Sequence, residues 1–342
     1  MALLAAMLFG VSTPLAKALL AGVSAQVLAG LLYLGSGLGL AIFRLARPPG
    51  GHAAEAPITR RDLPWLAGAI AAGGMIAPVL LLAGLTRTPA STTALLLNLE
   101  GAFTALLAWV LFRENVDARI LLGMASIVAG GVLLSWGGDV SPSGLAGPLL
   151  VACACFGWAV DNNLTQKVSA GDPVQIASAK GLIAGAVNVT LGLLLGGSLP
   201  PAARLAAALV VGLAGYGISL VLYVRAMRDL GTARTGAYFA LAPFVGAAVG
   251  LALFAEPLTW RFALAAALMG LGLWLHLSER HEHAHAHEEL EHTHRHMHDE
   301  HHRHTHGPED PPGEPHSHPH RHQSMVHAHP HYPDIHHRHG HS

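Results

Sequence analysis

The sequence predicts an all-α membrane protein of ten transmembrane helices, built as two inverted five-helix repeats and followed by a disordered C-terminal tail. Three observations carry this. The 342 residues are 52% hydrophobic and only 12% charged, and mean hydropathy is +0.43 despite a very polar C-terminus; a bilayer chain has this balance and two soluble domains do not. Leu111-Phe112-Arg113-Glu114 returns 142 residues later as Leu253-Phe254-Ala255-Glu256, each time after an apolar run and before a polar turn and a second apolar run carrying Gly130 or Gly272. An offset of that length lies far beyond the range of solenoid repeats and marks two copies of one half. After Arg280 the composition changes, and 23 of the 25 histidines lie between His281 and His341. The expected units are 1–137, 138–280 and the tail 281–342.

A span needs roughly 20 mostly apolar residues, and ten candidates meet that: 2–20, 24–44, 64–85, 90–112, 118–137, 144–165, 173–196, 205–226, 233–254 and 260–278. Met1 to Leu20 has no basic leader, and Lys17 follows its apolar run, so it reads as a first span and not a cleaved signal. With a cytoplasmic N-terminus the inner loops hold ten Lys and Arg (Arg44, Arg47, Arg60, Arg61, Arg113, Arg119, Lys167, Arg225, Arg228, Arg234) against three outside (Arg87, Arg204, Arg261). Basic residues are retained on the cytoplasmic side, so both termini are expected there, in the cytoplasmic membrane. Five spans per half means that the second copy enters from the opposite face, which is the architecture of secondary transporters. Gly181/Gly185, Gly192/Gly196 and Gly246/Gly250 recur at the spacing that lets helices approach closely, and read as packing faces.

Both copies open on an apolar run into Phe-Gly (Leu8-Phe9-Gly10 and Cys155-Phe156-Gly157) and close on Leu-Phe-x-Glu before a Gly-bearing span. In this, residues 1 to about 278 resemble the EamA family of the drug/metabolite transporter superfamily. The resemblance implies a ten-helix inner-membrane carrier, often an exporter of amino acids or other small metabolites. It also implies a proline in the penultimate span of each half, found here as Pro243 but replaced by Gly101 in the first copy.

Glu100 falls eleven residues into the fourth candidate span, where an ionised carboxylate costs about 2.5 to 3.5 kcal/mol on insertion scales. Thr93 and Thr104 share its helical face. Such a buried carboxylate suits a proton-coupling group or a cation ligand, or else a structural carboxylate bonded between helices; its counterpart in the second half is Ala242. Asp161, Asn162, Asn163 and Gln166 crowd the end of the sixth span, where a solvated helix end is the simplest reading and a transport role for Asp161 and Asn162 the alternative. Lys17 and Lys180 are expected to snorkel to the interface, with Lys180 also a candidate in transport. Pro14, Pro78 and Pro243 free backbone carbonyls inside spans, either to line a cavity or to kink for packing. Trp158, Tyr216, Tyr223, Tyr238 and Phe239 are a pathway lining or core packing. Cys153 and Cys155 point to different sides of a helix, too far around to share a metal, and exclude a disulfide framework.

The tail alternates His with other residues. His281, His283, His285 and His287, then His292, His294, His296 and His298, His301, His302, His304 and His306, and His316, His318, His320 and His322 are the candidate metal ligands. Neutral imidazole suits Zn, Ni, Co or Cu, and extended backbone brings alternate side chains to one face. Binding is expected to be multivalent and fluxional on a segment disordered when empty. With imidazole pKa values near about 6.5, the tail gains positive charge on mild acidification.

The functional expectation is a secondary transporter exporting a small metabolite such as an amino acid, with a tail that collects transition metal. The alternatives are a transition-metal (Ni, Co or Zn) exporter fed by the tail, and a membrane-anchored metal store or sensor that does not transport. The expected partners are the lipid bilayer and a small-molecule or metal-ion substrate, with a homodimer admissible and nucleic acid excluded by scattered basic residues. No cofactor is required, and no nucleotide loop, nucleophile elbow or soluble catalytic domain points to an enzyme.

Overall fold

The computed structural model describes residues 1–46, 59–112, 118–135, 142–168, 172–230, 235 and 238–277, and in the tail 281–287, 290–296, 316–322 and 325–331. The first half runs through Ala2–Leu19, Ala25–Leu45, Leu63–Leu85, the pair Ala90–Leu96 and Leu99–Phe112, and Ala118–Ser135. The second runs through Pro142–Gln166, Pro173–Leu194, residues 202–230, Ala242–Phe254 and Trp260–Leu277. In this order they are called spans one to ten. Among the described residues nine helices are long and apolar enough to cross a bilayer. The exception is span nine, whose 13-residue helix Ala242–Phe254 rises about 20 Å against a hydrocarbon core of about 30 Å. Residues 235, 238 and 239 of the expected 233–254 are also helical, but Ala240 and Leu241 form a turn that divides the span, and Pro243 occupies the first turn of the second piece, where its missing N–H costs nothing.

Local chemistry explains the ends. Ser24 Oγ accepts from the Val27 amide at 3.3 Å to start span two, and Asp172 Oδ1 accepts from Val174 at 2.9 Å to start span seven, with Pro173 in the first turn. Gly22, between spans one and two, has φ +78°, a left-handed conformation that only glycine adopts without strain.

The halves interlock by a reciprocal pattern. Span one packs on spans eight and nine, and span six on spans three and four; span two meets seven and eight, and span seven meets two and three. Spans two and seven form the most extensive pair, and spans five and ten are another large one. In the first pair Gly37 lies against Gly181 and Gly30 against Gly185, and in the second Gly123 lies against Gly272. Backbones this close leave no room for a side chain, which is how helices associate where lipid supplies no hydrophobic drive. Gly192 packs on Val27, Gly246 on Gly10 and Gly250 on Ser91, as expected of packing faces. Gly196 departs from that reading: it lies beyond span seven at φ +85° with nothing within 4 Å of a built Cβ, and serves as a helix terminator.

The irregularities repeat as well. Span three carries a π segment at Ile70–Ile76 and span eight one at Leu213–Ile218. Span four is interrupted at Leu97–Asn98 and span nine at Ala240–Leu241. Each pair falls within a residue of the 142-residue offset between the copies.

The described part of the tail consists of four strands. His281–His287 (β1) pairs antiparallel with Met325–His331 (β4), and Leu290–His296 (β2) with His316–His322 (β3). His298, His301, His302, His304 and His306 lie outside the described residues.

Because a Cβ on Gly37 would fall 2.6 Å from the Gly181 backbone whereas one on Gly101 meets nothing within 4 Å, Gly37→Val should destabilise the bundle by about 1–3 kcal/mol. Thermal unfolding in detergent checks this: Gly37→Val lowers the midpoint and Gly101→Val leaves it unchanged.

Candidate functional site

The site begins with a proline. Pro78 has no amide hydrogen, so it leaves the carbonyl four residues back (Gly74) without an α-helical partner and the one five back (Gly73) without a π-helical one. Three other spans supply donors. Tyr33 Oη from span two donates to Gly73 O at 2.7 Å and Trp158 Nε1 from span six donates to the same oxygen at 2.9 Å. Asn188 Nδ2 from span seven donates to Gly74 O at 3.1 Å and Met75 O at 3.2 Å, while its Oδ1 accepts from Gln26 Nε2 at 2.9 Å. The carbonyls that Pro78 frees are therefore joints between helices and not a cavity lining.

Asp161 sits directly over this joint, close enough that a Cβ on Gly73 would collide with its carboxylate. Lys180 Nζ of span seven meets Asp161 Oδ1 at 2.5 Å and donates to Thr165 Oγ1 at 3.2 Å; Thr165 donates to Asp161 Oδ1 at 2.8 Å. The Lys180 and Asp161 side chains are 18% and 9% exposed, so Lys180 does not snorkel, and Asp161 and Asn163 are not part of a solvated helix end. The two charges cancel inside the bundle because each has a partner, the condition under which buried charge is tolerated.

One helical position on, Asn162 turns to span four. Its Nδ2 donates to Glu100 Oε1 at 2.8 Å and to Thr104 Oγ1 at 3.4 Å. Glu100 lies in the first turn of Leu99–Phe112, just past the interruption, where the free amides and dipole of a helix start favour a carboxylate. The interruption also frees the Leu96 carbonyl, which accepts from Cys155 Sγ at 3.5 Å; Cys155 is buried and Cys153 exposed, the different sides expected. Beside Glu100, Gly101 faces open space, and Asn162 is exposed. A carboxylate at mid-span is unfavourable against hydrocarbon, and Glu100 is half-buried with Oε1 held by Asn162.

Thr93 lies on the other side of the interruption from Glu100, fully buried, its Oγ1 without a partner. The side chain of Gln166 lies outside the described residues. In the second half the counterpart of Glu100, Ala242, is 1% exposed and its carbonyl abuts Gly10. One half thus spends this position on packing and the other on a carboxylate.

Aromatic rings form the facing wall. Tyr33 contacts Tyr216 with centroids 5.6 Å apart, Phe9 contacts Tyr216 at 5.9 Å and Phe239 at 5.4 Å, and Tyr223 meets Phe239 at 4.8 Å. Tyr238 is 42% exposed.

At the end of the bundle where span one finishes and span four starts, Glu256 of the repeated Leu-Phe-x-Glu accepts from the Ala90 amide at 2.7 Å, the Ser91 amide at 3.0 Å and Ser91 Oγ. It caps span four across the two halves. Ala255 reaches the left-handed region (φ 49°) to turn it there, a strain of about 1–2 kcal/mol offset by the capping bonds. Lys17 Nζ donates to Thr88 O at 2.5 Å and lies 5.7 Å from the Phe254 ring centroid, so it is pinned at this seam. Sequence reasoning assigned no role to Glu256, Tyr33, Gln26 or Asn188. The recurrence of the Glu in both copies, and three polar residues in otherwise apolar helices, were the available signals.

The family described as the EamA-like transporter family matches residues 1–136 and 145–278. A curated relative, an "Uncharacterized transporter" of Methanothermobacter thermautotrophicus, is 30% identical over 280 residues, covering 78% of this chain and 81% of the relative. A solved crystal structure superposes with a TM-score of 0.59 at 18% identity, covering 80% of this chain and 94% of that one, a likeness of fold.

Two substitution sets follow from the geometry. Tyr33→Phe and Trp158→Phe singly leave Gly73 O one donor and should each cost at most about 1 kcal/mol, near the usual interhelical bond. The double variant orphans the carbonyl and should exceed the sum by about 1–3 kcal/mol in thermal unfolding. Asp161→Asn or Lys180→Met alone should cost about 3–5 kcal/mol, and the pair together less than either.

Proposed function

The chain belongs to the EamA-like transporter family, and from that premise we propose a secondary transporter of the cytoplasmic membrane that exports a small metabolite such as an amino acid through the aqueous space beside Glu100, Asn162 and Gly101. The observation that carries this reading is the 2.8 Å contact between Asn162 and Glu100 at the interruption of span four. Carriers of inverted-repeat build commonly place substrate at discontinuous helices near the midplane. Asp161 and Lys180 neutralise each other, so the Glu100 carboxylate is left to bind a cationic group or a proton. An α-ammonium fits beside it, with the Asn162 amide released to the substrate carboxylate and the aromatic wall receiving an apolar side chain. Glu256 and Lys17 close the seam at one end, and alternate opening of the two ends moves the solute. The positive-inside balance assigns that closed end to the outside and both termini to the cytoplasm. The tail collects Zn, Ni, Co or Cu there and reports metal status to the carrier.

Flux in proteoliposomes tests this. The intact chain and a chain ending at Arg280 should both move amino acids, with Glu100→Gln reduced at least tenfold in flux while thermal stability is kept. If metal ions move instead and removing the tail only weakens that flux, the cargo is metal. If every variant is inert to all solutes while the tail still binds metal, the transport reading is wrong.

A further inference from the structure

The tail strands pair in a register that sets histidine opposite histidine. Along β1 and β4 the opposed positions are His281↔His331, His283↔His329 and His285↔His327; along β2 and β3 they are His292↔His320, His294↔His318 and His296↔His316. The intervening pairs carry no histidine at all: Glu282↔Pro330, Ala284↔Ala328 and Ala286↔Val326 in one ribbon, and Glu291↔Arg321, Thr293↔Pro319 and Arg295↔Ser317 in the other. Positions two apart on a strand share a face, and directly opposed positions share it too. Each ribbon therefore gathers three histidine pairs on one face. A slip of a single residue would set histidine against other residues throughout.

The prolines fit the same register. Pro319 and Pro330 both fall on the non-histidine positions, where an antiparallel ribbon can turn an N–H position away from its partner, so neither need break a ladder bond.

From this placement we propose that each ribbon is a defined site for a borderline divalent transition metal, Zn(II) or Ni(II), with two successive cross-strand pairs supplying up to four imidazole ligands. The spacing suits it. Opposed positions lie about 4.5–5.5 Å apart and successive same-face positions about 6.6 Å apart along the strand, so two successive pairs set four histidine positions together on one face of a ribbon. The metal also supplies what the ribbon lacks, because a two-stranded ribbon without an apolar face is marginal in water, and an ion bridging β1 to β4 closes the segment between them. The inference rests on the reading of the tail as metal-binding and adds that binding is registered: the pairing of positions, and not the number of histidines, sets the affinity. This departs from the fluxional binding expected from composition.

The test keeps composition and changes register. In the full-length protein in detergent, exchanging neighbours in β1 (His283→Ala, Ala284→His, His285→Ala, Ala286→His) moves two histidines to the other face. A parallel variant in β2 (His292→Thr, Thr293→His, His294→Arg, Arg295→His) does the same in the second ribbon. Zn(II) and Ni(II) are titrated calorimetrically, and amide hydrogen exchange of 281–331 is followed with and without metal. The expected result is two tight sites in the intact chain, loss of one in each variant with affinity at that ribbon down at least tenfold, and metal-dependent protection confined to the unaltered ribbon. Equal affinity, stoichiometry and protection in all three proteins would overturn registered binding and leave fluxional chelation. If the intact chain itself binds neither metal below millimolar concentration, the metal reading of the tail fails along with the inference.

Discussion

Everything near the midplane depends on two carbonyl oxygens. A helix in lipid must satisfy its own backbone, and Pro78 prevents span three from doing so at Gly73 and Gly74. The deficit is met by Tyr33, Trp158 and Asn188 from spans two, six and seven, so four helices are tied at one depth by bonds that none of them can exchange for water. Span six leaves that joint with Trp158 directed toward Gly73. Four residues separate it from Asn162, about one helical turn, so the same anchoring sets Asp161 against Lys180 and Asn162 against Glu100. The packing at Gly73 admits no side chain because the Asp161 carboxylate occupies the space. The joint and the polar cluster are therefore one construction.

Around it the halves are alike in scaffold and unlike in chemistry. The π segments, the interruptions of spans four and nine and the reciprocal contacts repeat. At the interruptions themselves the copies diverge. The first has Glu100 beside a Gly101 that faces open space; the second has Ala242 packed on Gly10 and Pro243 starting a helix. Repetition keeps two geometries accessible to one scaffold, and the divergence puts the charge in only one of them. Glu256 adds a contact between halves, from the motif that ends span nine to the start of span four, and any opening of that end has to release it.

The repeat, the spans and their order were legible in the sequence because hydropathy and offset are properties of the chain itself. Glu100 and Asn162 were legible as polar residues at mid-span depth, where lipid makes them conspicuous. Their bond was not, because it depends on which helices meet. The same holds for Lys180, read as snorkelling when only its own span was considered and held instead by Asp161, 19 residues away across the turn between spans six and seven. Gly196 was misread as packing because spacing alone does not show that the helix has ended. The pairing of the tail strands was not legible either, because it depends on which segments meet, although the alternation of histidine with other residues is present on both arms.

We propose the space beside Glu100 and Gly101 as an aqueous substrate path. Labelling of Gly101→Cys, in a background carrying Cys153→Ser and Cys155→Ser, by a membrane-impermeant maleimide tests it most directly, because Gly101 has room for a thiol and its reagent. Fast labelling in proteoliposomes from one face of the membrane and strong protection by the transported amino acid are expected. Absence of labelling in the folded protein from either face, or labelling that no solute alters, would contradict it.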